Sequence, residues 1–185
     1  MHSHVTRVVF AIAASAAVAF SQDDQPSKSR SKSMGGDQQF MMKAAQGGMA
    51  EVQLGQLAQK NASNSAVKQF GERMVTDHSK ANDQAKSLAS QKNITLPTSM
   101  GSKEQSMYRS LSSKTGNEFD KAYITAMIKD HNEDIAEFQQ EANSGNDPDV
   151  KAWAAKTLPT LKEHLRMAED CAKQLGISTT TGGDR

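Results

Sequence analysis

Four stretches of this 185-residue chain place apolar residues at steps of three or four, and a strongly polar residue interrupts each line once. Such spacing keeps side chains on one face of an α-helix, so each stretch predicts an amphipathic helix. The first line is Phe40, Ala44, Gly47, Glu51, Leu54, Ala58, interrupted by Glu51. The second is Val67, Phe70, Met74, His78, Ala81, Ala85, Leu88, interrupted by His78. The third, Ile124, Met127, His131, Ile135, Phe138, carries His131. The fourth, Val150, Ala154, Thr157, Leu161, His164, Ala168, Cys171, Leu175, carries His164. Two of the interruptions close a repeated phrase, Met74-Val75-Thr76-Asp77-His78 and Met127-Ile128-Lys129-Asp130-His131. On a helix each copy presents a thioether, a carboxylate and an imidazole side by side.

The punctuation between the lines sets the helix ends. Asp37 reads as the N-cap of a helix over residues 37–61, and Gly47 on its inner line predicts a close approach by a neighbouring helix. A short connection at residues 62–64 opens a second helix, to about Lys92, and forces it antiparallel to the first. Pro97 and Gly101 mark a loop. Ser102-Lys103-Glu104-Gln105 has capping-box form and predicts a short extra helix to about Ser113, whose Met107, Tyr108 and Leu111 cover one end of a bundle. A third long helix spans residues 117–143 and stops near Gly145. Asp147-Pro148 starts the fourth, which ends at Gly176, with Pro159 expected to remove one backbone bond and kink the axis a turn before His164. The fold class predicted is all-α, an antiparallel four-helix bundle in up-down-up-down order, with an extra short helix between helices 2 and 3. Counted from the joint ends, the four polar positions fall roughly ten to seventeen residues deep, an axial spread of ~10 Å. They therefore sit at similar depth.

The flanks carry other information. Arg7 followed by a predominantly apolar run over residues 8–20, ending in Ala19-Phe20-Ser21, has the form of a secretory signal cut after Ser21 or Ala19. Residues 22–36 lack apolar periodicity and read as a flexible linker; residues 37–176 form the bundle domain; residues 177–185 read as a disordered tail. Beyond Arg7 the chain balances 21 basic against 21 acidic residues, which gives no basis for nucleic-acid or anionic-lipid binding. No second apolar run spans a bilayer, so no integral membrane segment is expected in the mature chain. Cys171 is the single cysteine, which excludes an internal disulfide, and it lies too far along its helix from His164, ~10.5 Å, to share a metal or act as a histidine-activated nucleophile. No phosphate-binding glycine loop or nucleophile elbow is present, and enzyme chemistry of those kinds has no support.

Glu51, His78, His131 and His164 are the candidate metal ligands. Imidazole and carboxylate from facing helices suit Cu, Fe, Zn or Mn, and Met74, Met127 and Met167 would add soft donors suited to Cu(I). The competing reading makes the histidines ordinary core residues paired with Asp77, Asp130, Glu51 or Asp134, and the methionines core filler.

A further signal is an ordered series: Ala50-Glu51-Val52-Gln53-Leu54-Gly55, Phe70 with Met74 to His78, Ile94-Thr95-Leu96-Pro97, Phe119-Asp120-Lys121-Ala122-Tyr123, Asp130-His131, and Thr157-Leu158-Pro159 with His164-Leu165. This series, across residues 40–175, resembles a bacterial exported domain of unknown function with a ferritin-like fold, often labelled a predicted outer-membrane protein. The resemblance implies a ferritin-like bundle in the bacterial envelope and no established activity. The residues three before the histidines are Val75, Ile128 and Leu161, so the chain departs from the Glu-x-x-His pattern of di-iron bundles. Two functional readings follow. One is an exported soluble binding or structural module of the periplasm or cell envelope, with an envelope protein or a second copy of the chain as partner. The other is a metal-binding or oxidant-handling bundle that uses Glu51 and the three histidines.

Overall fold

The computed structural model describes the backbone of residues 27–178 and the side chains of residues 35–178. The expected signal peptide, the first residues of the expected linker and the tail from residue 179 lie outside the described residues. Five helices follow one another: α1 (Ser27–Asn61), α2 (Ser65–Gln91), α3 (Ser102–Ser112), α4 (Gly116–Ser144) and α5 (Pro148–Gln174). Among the described residues there is no strand, and no helix is long and apolar enough to cross a membrane.

α1 lies along α2 and α4 along α5, while α2 meets α5 and α1 meets α4, closing a four-helix bundle. The order of directions differs from the expected up-down-up-down. Asp120, near the start of α4, accepts hydrogen bonds from Ser63 and Asn64 in the α1–α2 joint. At the other end Asp37 of α1 accepts from the backbone N–H groups of Asn146 and Asp147 in the α4–α5 joint. Lys92, at the end of α2, pairs there with Asp147 and Asp149. The two joints therefore lie at opposite ends of the bundle, and α4 runs parallel to α2. The physical reason is the connection. A two- or three-residue loop forces an antiparallel neighbour, but residues 92–115 include an 11-residue helix, worth ~16 Å of travel, and can carry the chain back along the bundle. Lys103 at the start of α3 reaches Glu133 at 2.6 Å, and Leu111 at its end packs with Phe119 and Tyr123. α3 thus climbs beside α4 toward the α1–α2 joint, where Met107 and Tyr108 also pack, as the spacing predicted.

Local signals place most ends well. Asn64 and Asp147 cap α2 and α5 through their side chains, and Pro148 opens α5. After α5, Gly176 takes φ +66, and the N–H groups of Gly176 and Ile177 bond back to Lys173 and Ala172. This is the Schellman arrangement, and Ile177, expected in the tail, packs against the core. Several expectations are corrected. α1 starts at Ser27, ten residues before the expected start, because a missing apolar stripe reports missing burial rather than missing helix. Asp37, expected as its N-cap, instead holds the α4–α5 joint. Ser102 does not cap α3, whose N-cap is Gly101 with no side-chain bond. The close approach expected at Gly47 occurs at Gly55 and Gly71, where a Cβ on either would lie under 3 Å from the other's carbonyl oxygen. α5 runs unbroken through Pro159, which faces solvent. On that side the carbonyl that loses its partner can bond to water.

The core is divided in two. Leu54, Phe70, Met74, Phe119, Tyr123 and Met127 belong to the cluster at the α1–α2 joint end. Phe40, Met41, Phe138, Trp153 and Leu161 belong to the cluster at the opposite end, with Phe40 edge-on to Phe138 at 4.9 Å. Each fully buried side chain of this size contributes ~1.5–3 kcal/mol. The layer between the two apolar halves is polar.

Candidate metal centre

That layer holds the four residues singled out from sequence. Glu51 lies ten residues before the end of α1 at Asn61, His78 thirteen after the start of α2 at Ser65, His131 fifteen after the start of α4 at Gly116, and His164 ten before the end of α5 at Gln174. All four are buried, His131 and His164 completely. The three rings are mutual neighbours, with centroids 5.1 to 5.8 Å apart. Each ring offers one nitrogen to a group whose members lie within 4.8 Å of one another.

The far side of each ring decides what the near side can do. Nδ1 of His131 is 3.0 Å from the Met127 carbonyl oxygen. A carbonyl only accepts, so in the neutral ring Nδ1 carries the proton and Nε2 is a bare lone pair. Nε2 of His164 is 2.9 Å from Asp77 Oδ2. Partial burial pushes the Asp77 carboxyl up, but hydrogen bonds from Arg73 and His164 outweigh it and hold it below its ordinary value. Asp77 is therefore an acceptor, His164 Nε2–H donates to it, and His164 Nδ1 is bare. The two bare nitrogens face each other at 3.3 Å. No proton lies between them in the neutral rings, so this contact is not a hydrogen bond. Protonating either ring would make it one, but burial opposes the charge. It pushes the His164 pKa down to about 4 and that of His131 well below its usual range.

His78 completes the set. Its Nδ1 is 2.8 Å from Glu51 Oε2, and its Nε2 has no hydrogen-bond partner among the described residues. Burial lowers the His78 pKa to about 4. Burial, then the nearby Asp130, raises that of Glu51 well above the carboxylate range. Without a cation the pair is thus held neutral, with one proton between Glu51 and His78. With a cation on Nε2 of His78, Nδ1–H donates to an ionised Glu51, and the displaced proton leaves. Glu51 Oε1 is also without a hydrogen-bond partner, 3.5 Å from the bare Nε2 of His131. His131 and His164 thus each have one nitrogen anchored on an acceptor and the other bare toward the neighbouring ring, and His78 has Nδ1 on Glu51 and Nε2 without a hydrogen-bond partner, an anchoring that orients imidazole toward a metal. The residues fit a transition metal: three nitrogens, with one carboxylate oxygen at hand.

Sequence reasoning named these four residues. It gave Asp77, Asp130, Glu51 and Asp134 as partners of the histidines without assigning them, and Asp77 serves His164 across the bundle while Glu51 serves His78. Asp130 joins Glu51 and Asp134 in a separate carboxylate group. Met74 and Met127 are fully buried in the apolar half at the joint end. Cys171 is a free, buried thiol in the same half, and burial raises its pKa.

Fold and site together define an all-helical bundle with a buried three-histidine, one-carboxylate layer. The chain belongs to the family described as Domain of unknown function (DUF4142), whose model matches residues 22–171. It is similar in fold to a DUF305 protein from Streptomyces coelicolor, provisionally described as secreted, with TM-score 0.67 and 9% identity over 81% of this chain and 96% of that one. A DUF305 fragment from Deinococcus radiodurans is similar with TM-score 0.66 and 13% identity, covering 76% of this chain and 95% of that one. No curated protein matches the chain.

Proposed function

We propose that this protein is an exported helical bundle that binds one transition metal ion on His78, His131 and His164, with Glu51 beside them. The observation that carries the reading is the 3.3 Å contact between two ring nitrogens that are both bare in the neutral state. An apoprotein gains nothing from two lone pairs facing each other in a dry core, whereas a cation between them satisfies both. Three imidazoles and a carboxylate suit Zn, Cu or Fe in the divalent state. A cavity of about 20 Å³ touches Glu51 and His78. That is room for about one water molecule. An organic substrate does not fit there, so the reading is a metal-holding module, with any reaction limited to molecules of that size. Export rests on the signal-like residues 1–21 and on the description given to the Streptomyces neighbour. Isothermal titration of the metal-free full chain with Zn²⁺, Cu²⁺ and Fe²⁺ tests the proposal. One equivalent should bind with Kd below the micromolar range, and His131→Ala should abolish it. Absence of any binding tighter than micromolar overturns the reading.

A further inference from the structure

Glu51 belongs to two groups at once. One of its oxygens, Oε2, is held by His78. Elsewhere, Glu51, Asp130 and Asp134 each bring one carboxylate oxygen to within 4.8 Å of the others. Oε1 of Glu51 has no hydrogen-bond partner, and the residue is 2% exposed. Among the described residues Oε1 therefore stays without a hydrogen bond, while Glu51 lies beside two more carboxyls. The countercharge there is thin. Among the described residues the cation paired with this group is Lys103, which sits 3.8 Å from Asp130 and closer, at 2.6 Å, to Glu133. Burial raises the pKa of all three carboxyls, helped by Asp130 at Glu51, by Glu51 and Asp130 at Asp134, and by Glu133 and Glu104 at Asp130.

The surroundings lead inward from solvent. Asp134 lines the small cavity beside Glu51 and His78, and it also lines an open pocket of about 440 Å³ with Asp130, Glu133 and Glu137. Gly47 borders both spaces, and a Cβ there would meet nothing within 4 Å. An acidic mouth thus adjoins the buried carboxylates. Lys43 and Lys103 line the same pocket, so the mouth is acidic on balance, and such an excess of one sign concentrates ions of the other.

We infer that Glu51, Asp130 and Asp134 form a second cation site, oxygen-lined and abutting the histidine site through Glu51. Three carboxylates select a hard divalent ion such as Mn²⁺, in contrast to the imidazole-rich neighbour. The pairing of the two ions rests on the histidine reading; the carboxylate site itself is tested separately. The metal-free full chain is first given one equivalent of Zn²⁺ and then titrated with Mn²⁺, bound ion being counted by loss of the free Mn²⁺ EPR signal. One further equivalent should bind, and Asp134→Asn and Asp130→Asn should each weaken Mn²⁺ at least tenfold while Zn²⁺ affinity changes less than threefold. No Mn²⁺ uptake by the wild-type chain, or uptake unchanged in both variants, overturns the inference and leaves the histidine site standing. Mn²⁺ uptake sensitive to both variants, with no Zn²⁺ bound, supports the carboxylate site and overturns the histidine reading instead. The wild-type count needs no variant, so a variant that fails to fold leaves the test intact. With Cu²⁺ in place of Zn²⁺, ions sharing Glu51 should couple and broaden the bound Mn²⁺ signal; an unbroadened signal rules out the shared residue.

Discussion

At the joint end of the bundle Asp120, 1% exposed, accepts hydrogen bonds from Ser63 N–H, Ser63 Oγ–H and Asn64 N–H. At the opposite end Asp37 accepts two backbone N–H groups of the α4–α5 joint. The middle layer is equally buried and built from similar residue types, yet Glu51 Oε1 and His78 Nε2 have no partner and two bare nitrogens confront each other. Asp120 and Asp37 are met by loop donors and act as clasps on loops, although Glu141 Oε1 beside Asp37 also lacks a hydrogen-bond partner among the described residues. On the proposed reading the middle group is completed by a cation. Buried polarity by itself distinguishes neither role; the state of each lone pair does.

Four measurements can break or sharpen this contrast. Asp120→Ala should have the largest effect, stranding three donors for a loss of ~3 kcal/mol. For a domain of this size the melting temperature should fall by ~6–12 °C, equally with and without metal. A metal-dependent loss there would erase the distinction. Next, metal at one hundred times Kd should add ~2.7 kcal/mol to the wild-type chain. In His131→Ala this increment should vanish, as read by chemical denaturation with and without Zn²⁺. Asp77→Asn should be milder, because it only loosens the anchor of His164. A ~10–100-fold weaker metal affinity with stoichiometry kept is expected.

The smallest effect belongs to the Asp37 end. Burial, then the adjacent Asp37, raises the Glu141 pKa to about 7 from an ordinary 4.5. The folded chain then binds the Glu141 proton more tightly than the unfolded chain does. Its contribution is complete below pH ~4.5 and is lost as pH rises through ~7, with a size of order 1 kcal/mol. Stability of Glu141→Gln should lack this decline, and a decline that persists would place its origin elsewhere.

Much of the fold was legible because helical periodicity and capping are local. The stripes, the Asn64–Ser65 start, Asp147-Pro148 and Gly176 each depend on residues within one or two turns. The direction of α4 was not legible, because a long connection leaves the next helix free to run either way. The common depth of the four residues survives that reversal for a simple reason. A residue near the middle of a helix of 27 to 29 residues stays near the middle whichever end is up. Asp37 was read as a cap because its type suits one, while its actual partners lie more than a hundred residues away.

By itself the sequence determined that four helices form, that one strongly polar residue interrupts the apolar line of each, and that these residues are Glu51, His78, His131 and His164. Those facts follow from spacing along the chain, which the 3.6-residue repeat converts directly into a face. Only the tertiary structure decided which nitrogen of each ring is anchored, that Asp77 serves His164, and that Glu51 stands between the histidines and two aspartates. These depend on how helices are rotated and directed against one another, and the acceptors that set each tautomer across the bundle come from other segments of the chain.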